Sequence, residues 1–307
     1  MGDLVSEPSV FVDRMGLLNP AREFLTHYRS PWLLSKIGLV SVPALFDQAF
    51  RQKWEGEHEP RLNVLRSKAL QGGPKSSPDP ALLRGDELAL FRAHHENDYS
   101  NWLAWLFSET NPACEILQQT LFRQAFRLLP GIGVFRVCRE RRVEEGFENQ
   151  TGRLDLQFAR TKSKTIVVIE NKTVDPNPAE LEKHKGYAKS IRENYSGWNH
   201  HLVLLVPRKA ALPRDAEMHG FEICEWKDLS MALRRMVAHG RLQAYADIEV
   251  LVRLFVGAIE GHLLAYPVTA WRQFLTGDLP DQVGARAIVR SGYVDYLEDA
   301  YAHTEEQ

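Results

Sequence analysis

Thr165-Ile-Val-Val-Ile-Glu-Asn-Lys172, with Arg153-Leu-Asp-Leu-Gln-Phe158 a few residues upstream, is the stretch on which the fold turns. Ile166 to Ile169 is apolar at every position, the pattern of a central strand buried on both faces. It breaks abruptly into Glu170-Asn171-Lys172. In the upstream stretch, strict alternation puts Leu154, Leu156 and Phe158 on one face and Arg153, Asp155 and Gln157 on the other. If the two strands are neighbours, Asp155 and Glu170 converge, and period two puts Lys172 on the same side as Glu170.

Working outward, apolar periodicity predicts helices over Asp86 to Phe107 and Pro112 to Leu129, the second stopped by Pro130-Gly131. Strands follow at Gly133 to Cys138, Arg153 to Ala159 and Thr165 to Asn171. Then come a helix from Pro178 to Arg192, strands at His201 to Val206 and Phe221 to Cys224, and a helix over Lys227 to Ala238. Leu242 to Leu264 reads as one long closing helix. This order predicts an α/β fold: a mixed sheet with helices on both faces, not a purely doubly wound one.

The Gly-, Pro- and Ser-rich segment over 71–80 reads as a linker. It separates an N-terminal accessory region, 1–70, helical in character and without a recognisable motif, from a core over 81–240. Residues 241–307 read as a C-terminal helical extension.

Composition narrows the classes. With 44% apolar and 25% charged residues, the chain is not a disordered one. A net charge of −2 provides no global positive field, so any nucleic-acid binding has to come from a local basic surface. Cys114, Cys138 and Cys224 are far apart and form no CxxC pair, which argues against a disulfide framework or a cysteine zinc site. The opening MGDLVSEPSVFVDRMGLL carries early acids, and Leu251 to Tyr266 is interrupted by Arg253, Glu260 and His262. The expectation is a cytoplasmic protein with no membrane segment.

Two carboxylates on adjacent strand ends make an oxygen-rich anionic site suited to Mg²⁺ or Mn²⁺, which keep waters and accept phosphate oxygens. A neighbouring lysine would place positive charge at a scissile phosphate or lower the pKa of an attacking water. The bland alternative is a solvated Glu-x-Lys pair where a strand emerges, common on any surface. What sets this triplet apart is its place directly after an all-aliphatic strand, with an Arg-x-Asp strand before it.

GRLDLQF followed by TIVVIENK resembles the two core strands of the PD-(D/E)xK nuclease superfamily, in particular a bacterial branch with an R-x-D … IENK pattern. HENDYSNWLAWLFSE is similar to that branch's opening helix, and EICEWKDLSMAL to its late strand-then-helix element. The resemblance spans Glu96 to Leu233. It implies a restriction-endonuclease-like fold and a metal-dependent hydrolase of phosphodiesters, with DNA the expected partner and defence or DNA processing the expected role. It also implies Asp155, Glu170 and Glu96 as metal ligands and Lys172 as the catalytic lysine. Three positions depart from the pattern: Glu180 stands for a Gln, His184 for a Tyr and Tyr99 for a His.

Basic residues that could meet phosphates are Arg139, Arg141 and Arg153 around the strands, and Lys183, Lys185 and Lys189 with Tyr187 on the following helix. Solvated faces balanced by Glu140, Glu144, Glu145 and Glu148 are the competing reading. The pairs His94-His95 and His200-His201 point in divergent directions and do not read as a chelate. Trp102 and Trp105 fall in an apolar helix and read as core, with base stacking as the alternative. The rival function is a catalytically inactive nuclease-fold module that binds nucleic acid or a protein. The N-terminal region is where a protein partner or a second copy of the chain would dock.

Overall fold

The computed structural model describes residues 50–70, 79–87, 91–92, 95–131, 133–144, 151–209, 212, 219–278 and 280–302. The chain divides into two compact units, Met1–Asn63 and Val64–Gln307. In the first, the described residues are helical, with a π-helical stretch at Trp54–His58. The point of division lies in α1 (Glu59–Leu70). All that follows concerns the second unit.

Its helices are α2 (Glu96–Leu106), α3 (Cys114–Gln119), α4 (Pro178–Asn194), α5 (Trp226–Ala238), α6 (Ala246–Ala258), α7 (Val268–Thr276), α8 (Gln282–Arg290) and α9 (Tyr293–Tyr301). The strands are β1 (Arg136–Glu144), β2 (Thr151–Arg160), β3 (Thr165–Asn171), β4 (Asn199–Val206) and β5 (Phe221–Glu225). They form one open mixed sheet in the order β1-β2-β3-β4-β5. β1, β2 and β3 pair antiparallel, and β3, β4 and β5 pair parallel. The tight turn Thr161–Lys164, with Lys164 at φ 46°, allows the antiparallel step, whereas the parallel step to β4 requires the crossover through α4.

Every residue of β3 is buried, as its aliphatic run requires. Val167 and Ile169 face a core built with α2, α3, α5 and α6, while Ile166 and Val168 face Leu181, Ala188 and Ile191 of α4. Burying each such Val or Ile is worth about 1.5–3 kcal/mol, so both faces hold this strand in place.

The alternation expected over 154–158 fails at its first step. Leu156 and Phe158 enter the first core, but Leu154 enters the second. The ladder between β2 and β3 runs from Arg160–Thr165 to Leu156–Ile169 and stops. Beyond it β2 is paired only to β1 and is free to twist away from β3.

Helix boundaries also differ from expectation. The helix expected from Asp86 begins only at Glu96, because the Asp98 carboxylate accepts from Arg92 N–H and its guanidinium and fixes a non-helical approach. The helix expected over Pro112 to Leu129 is α3 continued by a π-helical stretch, Thr120–Ala125, and ends where Arg127 takes φ 55°. The first strand starts at Arg136 and not at Gly133. The long closing helix is α6 plus a π-helical stretch, Ile259–Leu263.

The linker read over 71–80 lies outside the described residues up to 78, and its last two residues, Asp79 and Pro80, are buried. Asp79 belongs to a fully buried ionic network that joins α5 to the C-terminal helices. Arg234 of α5 donates to Asp79 Oδ2 at 2.5 Å and to Glu260 Oε1 and Oε2 at 2.9 and 2.8 Å. Tyr301 donates to Asp79, and Tyr293 and Tyr296 donate to Glu260. Burial alone would push the Asp79 carboxyl up, but the Arg234 charge together with the hydrogen bonds from Arg234, Tyr301 and the Ala81 N–H outweigh it and hold it below the usual carboxylate range.

Among the described residues no helix is long and apolar enough to cross a membrane.

Candidate functional site

The gap left where β2 and β3 separate is filled by the two carboxylates. Asp155 N–H donates to Glu170 Oε2 at 3.3 Å. The backbone N–H of Asn171 donates to Asp155 Oδ2 at 2.8 Å, and its side-chain amide donates to the same oxygen at 2.9 Å and to Ser100 Oγ at 2.6 Å. Ser100 Oγ in turn donates to the carbonyl of Glu96, so the first turn of α2 is tied to the end of β3. Lys172 Nζ lies 3.2 Å from Glu96 Oε2. The backbone of Lys172 is fixed from both sides: its N–H donates to Leu205 O of β4, and Trp226 Nε1–H of α5 donates to its carbonyl.

Four of the residues expected to act together therefore meet. Glu96, Asp155, Glu170 and Lys172 form a half-buried cluster of three carboxylates and one ammonium. Burial, and then the charge of Asp155, push the Glu170 carboxyl well above its ordinary value. Burial pushes Asp155 up to about 6, with the Asn171 hydrogen bond and the Lys172 charge offsetting part of the rise. Burial pulls the Lys172 ammonium down, but Glu96, Glu170 and Asp155 outweigh it, so its net shift is upward and it stays charged at neutral pH. The cluster is short of positive charge.

Arg139 of β1 stands beside it. Its guanidinium favours the ionised form of Asp155, and it donates to Asn101 Oδ1 and, at 3.1 Å, to Asn97 Oδ1 on α2. The side chains of Arg141, Arg153 and Glu180 lie outside the described residues. Lys183, Lys185 and Lys189 are exposed on α4. Tyr187, expected among the nucleic-acid contacts, is instead buried in the core beneath α4, since its position shares a face with Ile191 and His184.

Two of the three departures from the expected pattern, Tyr99 and His184, are buried packing residues. Tyr99 is buried, packs edge-on to Trp226 at 5.4 Å and places its hydroxyl 3.3 Å from His262 Nδ1. His184 is buried 5.2 Å from the Phe221 ring; burial, then the charge of Lys172, push it down to about 4, so it is neutral. Trp102, expected in the core, stacks on Phe255, whereas Trp105, expected there too, is 46% exposed.

No family model, curated protein or solved structure matches the chain. Among the described residues no group of three or more His, Cys, Asp or Glu side chains is arranged to hold a metal; Glu96 lies against Lys172.

Reading the sequence missed Asn171 as a positioning residue, although a buried amide directly after an aliphatic strand is a usable signal. It also missed Asn97, Asn101 and Trp226, whose contacts are all to residues distant along the chain.

Proposed function

We propose that this chain is a divalent-metal-dependent nuclease of the PD-(D/E)xK type, hydrolysing phosphodiester bonds, with DNA as its substrate. The observation that carries the reading is the contact between Asp155 and Glu170 at the point where β2 and β3 part, with the Lys172 ammonium beside them. A five-stranded mixed sheet with helices on both faces is compatible with a restriction-endonuclease-like fold.

The donor set fits Mg²⁺ or Mn²⁺. Asp155 and Glu170 offer oxygen ligands whose mutual repulsion and burial a cation would relieve, and the buried Asn171 Oδ1 has no hydrogen-bond partner. Such a cation, when bound, supplies Lewis acidity toward a phosphate oxygen and a water of lowered pKa. The protein's own residues do the rest. Asn171 orients Asp155, the Ser100 link sets the distance of Glu96, and Glu96 holds Lys172 where its charge meets negative charge building on the phosphate. Arg139 and the exposed lysines of α4 would take neighbouring phosphates and supply the local basic surface that a net charge of −2 does not.

The test is incubation of the purified chain with plasmid, linear DNA and RNA in Mg²⁺, Mn²⁺ or EDTA. Cleavage of DNA that EDTA abolishes is the expected result. Intact nucleic acid under every metal and substrate overturns the reading, and cleavage of RNA alone overturns the choice of DNA.

A further inference from the structure

Asn97, Asn101 and Trp105 follow one another at i, i+4 and i+8 on α2 and so form a single stripe, about 12 Å long. The stripe starts at the residue next to Glu96 and ends at an open aromatic corner. There, Trp105 and Trp102 meet edge to face, with ring centroids 5.8 Å apart and planes at 76°. Trp102 is locked in place by Phe91 at 4.8 Å and by Phe255, on which it stacks at 10°. Trp105 is left 46% exposed. The two tryptophans, Leu251 of α6 and Asn101 line a cavity of about 300 Å³.

We propose that this corner is a subsite for one unpaired nucleobase of the strand whose phosphate lies at the carboxylates. The inference rests on the nuclease reading and specifies its substrate as a strand with at least one base out of the duplex. Three features choose this occupant. The cavity is at the small end of ligand sites, roughly 300–1,000 Å³, and suits one planar group, whereas a docked helix needs anchors along two turns. Trp105, with nearly half of its surface open at the cavity, offers the sequence-tolerant stacking platform that single-strand binders use. Between cavity and carboxylates lies Arg139, gripped by Asn97 and Asn101, which brings a guanidinium to the interval a backbone phosphate would cross.

The experiment measures binding without turnover. Fluorescence anisotropy of the full-length chain in Ca²⁺ is read with a labelled oligothymidylate of about 15 nucleotides, within the usual site sizes of single-strand binders. The same is done with an abasic strand of that length and with a duplex. Trp105→Ala should bind oligothymidylate about 5- to 150-fold more weakly, while Trp105→Phe, which keeps a ring, should lose much less. The wild type should bind the abasic strand about as weakly as Trp105→Ala binds either strand, and duplex affinity should not change. Thermal melting checks that both variants remain folded.

Equal oligothymidylate binding by wild type and Trp105→Ala overturns the subsite and leaves the corner to a protein partner, as does an equal loss on duplex or no oligonucleotide binding at all. Cleavage of DNA that persists alongside any of these results keeps the nuclease reading while the subsite falls. Base-dependent binding without cleavage does the reverse.

Discussion

Asn171 holds Asp155 through one oxygen twice, with its backbone N–H at 2.8 Å and its side-chain amide at 2.9 Å. The carboxylate is thereby oriented before any cation or substrate arrives. Asn171→Ala removes the side-chain half of this grip, and also the bond to Ser100 Oγ, inside a fully buried setting. It should destabilise the protein by about 1–3 kcal/mol in denaturant unfolding, and single-turnover cleavage should fall further than nucleic-acid affinity. Unchanged stability and rate would show that the amide does not position the acid.

Asp155 and Glu170 make metal-free stability depend on pH in a direction opposite to that of most paired acids. Both carboxyls are raised in the folded state, Asp155 to about 6 from an ordinary 3.8. The unfolded chain thus releases these protons first; the stabilising contribution of Asp155, full below about pH 4, is lost as pH rises through about 6, and that of Glu170 is lost in the same direction as pH rises through its own raised value. His184, pushed down to about 4, works in the other direction as pH falls, so the informative quantity is the difference between variant and wild type. Glu170→Gln should raise the metal-free melting temperature at pH 8 by a few degrees, with the gain shrinking toward pH 4. It should also abolish EDTA-sensitive cleavage and any thermal stabilisation by Mg²⁺. A melting difference that does not change with pH would remove the buried-charge account.

Lys172 should matter more to rate than to affinity. Its ammonium sits against Glu96 and within the field of both buried acids, close enough to act as charge builds on a phosphate. Lys172→Ala should lower the single-turnover rate by about 10² or more, in line with the loss of one preorganised electrostatic contact. Binding measured in Ca²⁺ should weaken far less, since many phosphate contacts share it. A near wild-type rate would mean that Lys172 only balances Glu96.

Arg234→Met tests the scaffold separately from the chemistry. It leaves Asp79 and Glu260 buried without their cation, and breaking a buried pair from one side costs about 3–5 kcal/mol. The melting temperature should fall by roughly 6 °C or more. A small change would imply that the two acids take up protons and tolerate the loss, which a shift of the melting curve with pH would reveal.

The parts of this architecture that were legible in the sequence are those fixed by short-range pattern. β3 spans Thr165–Asn171 in the structure, as the sequence predicts, because four consecutive buried aliphatics admit little else. Asp155, Glu170 and Lys172 converge as expected from neighbouring strands, although Asp155 lies just beyond the last β2–β3 pair and Lys172 just beyond β3. The start of α2 was not legible, since the carboxylates of Asp86 and Asp98 are committed to Arg272 and Arg92. Nor could helical periodicity separate Trp102, stacked under Phe255, from Trp105, left open: which turn of a helix is covered depends on α6, some 150 residues later. Arg234 and Arg235 are adjacent and chemically identical, yet one is wholly buried and the other reaches the exposed carbonyl of Asp299.

The buried knot around Arg234 also bears on how the half that carries the candidate site can be handled. A boundary drawn at 240 from hydrophobic pattern would cut away Glu260, Tyr293, Tyr296 and Tyr301, and one drawn after 79 would remove the other acid. Either truncation strands a guanidinium in an apolar interior, so a fragment trimmed to the sheet and its nearest helices should emerge as aggregate. Limited proteolysis should spare α7 to α9 until the sheet itself opens, the behaviour of one cooperative unfolding unit.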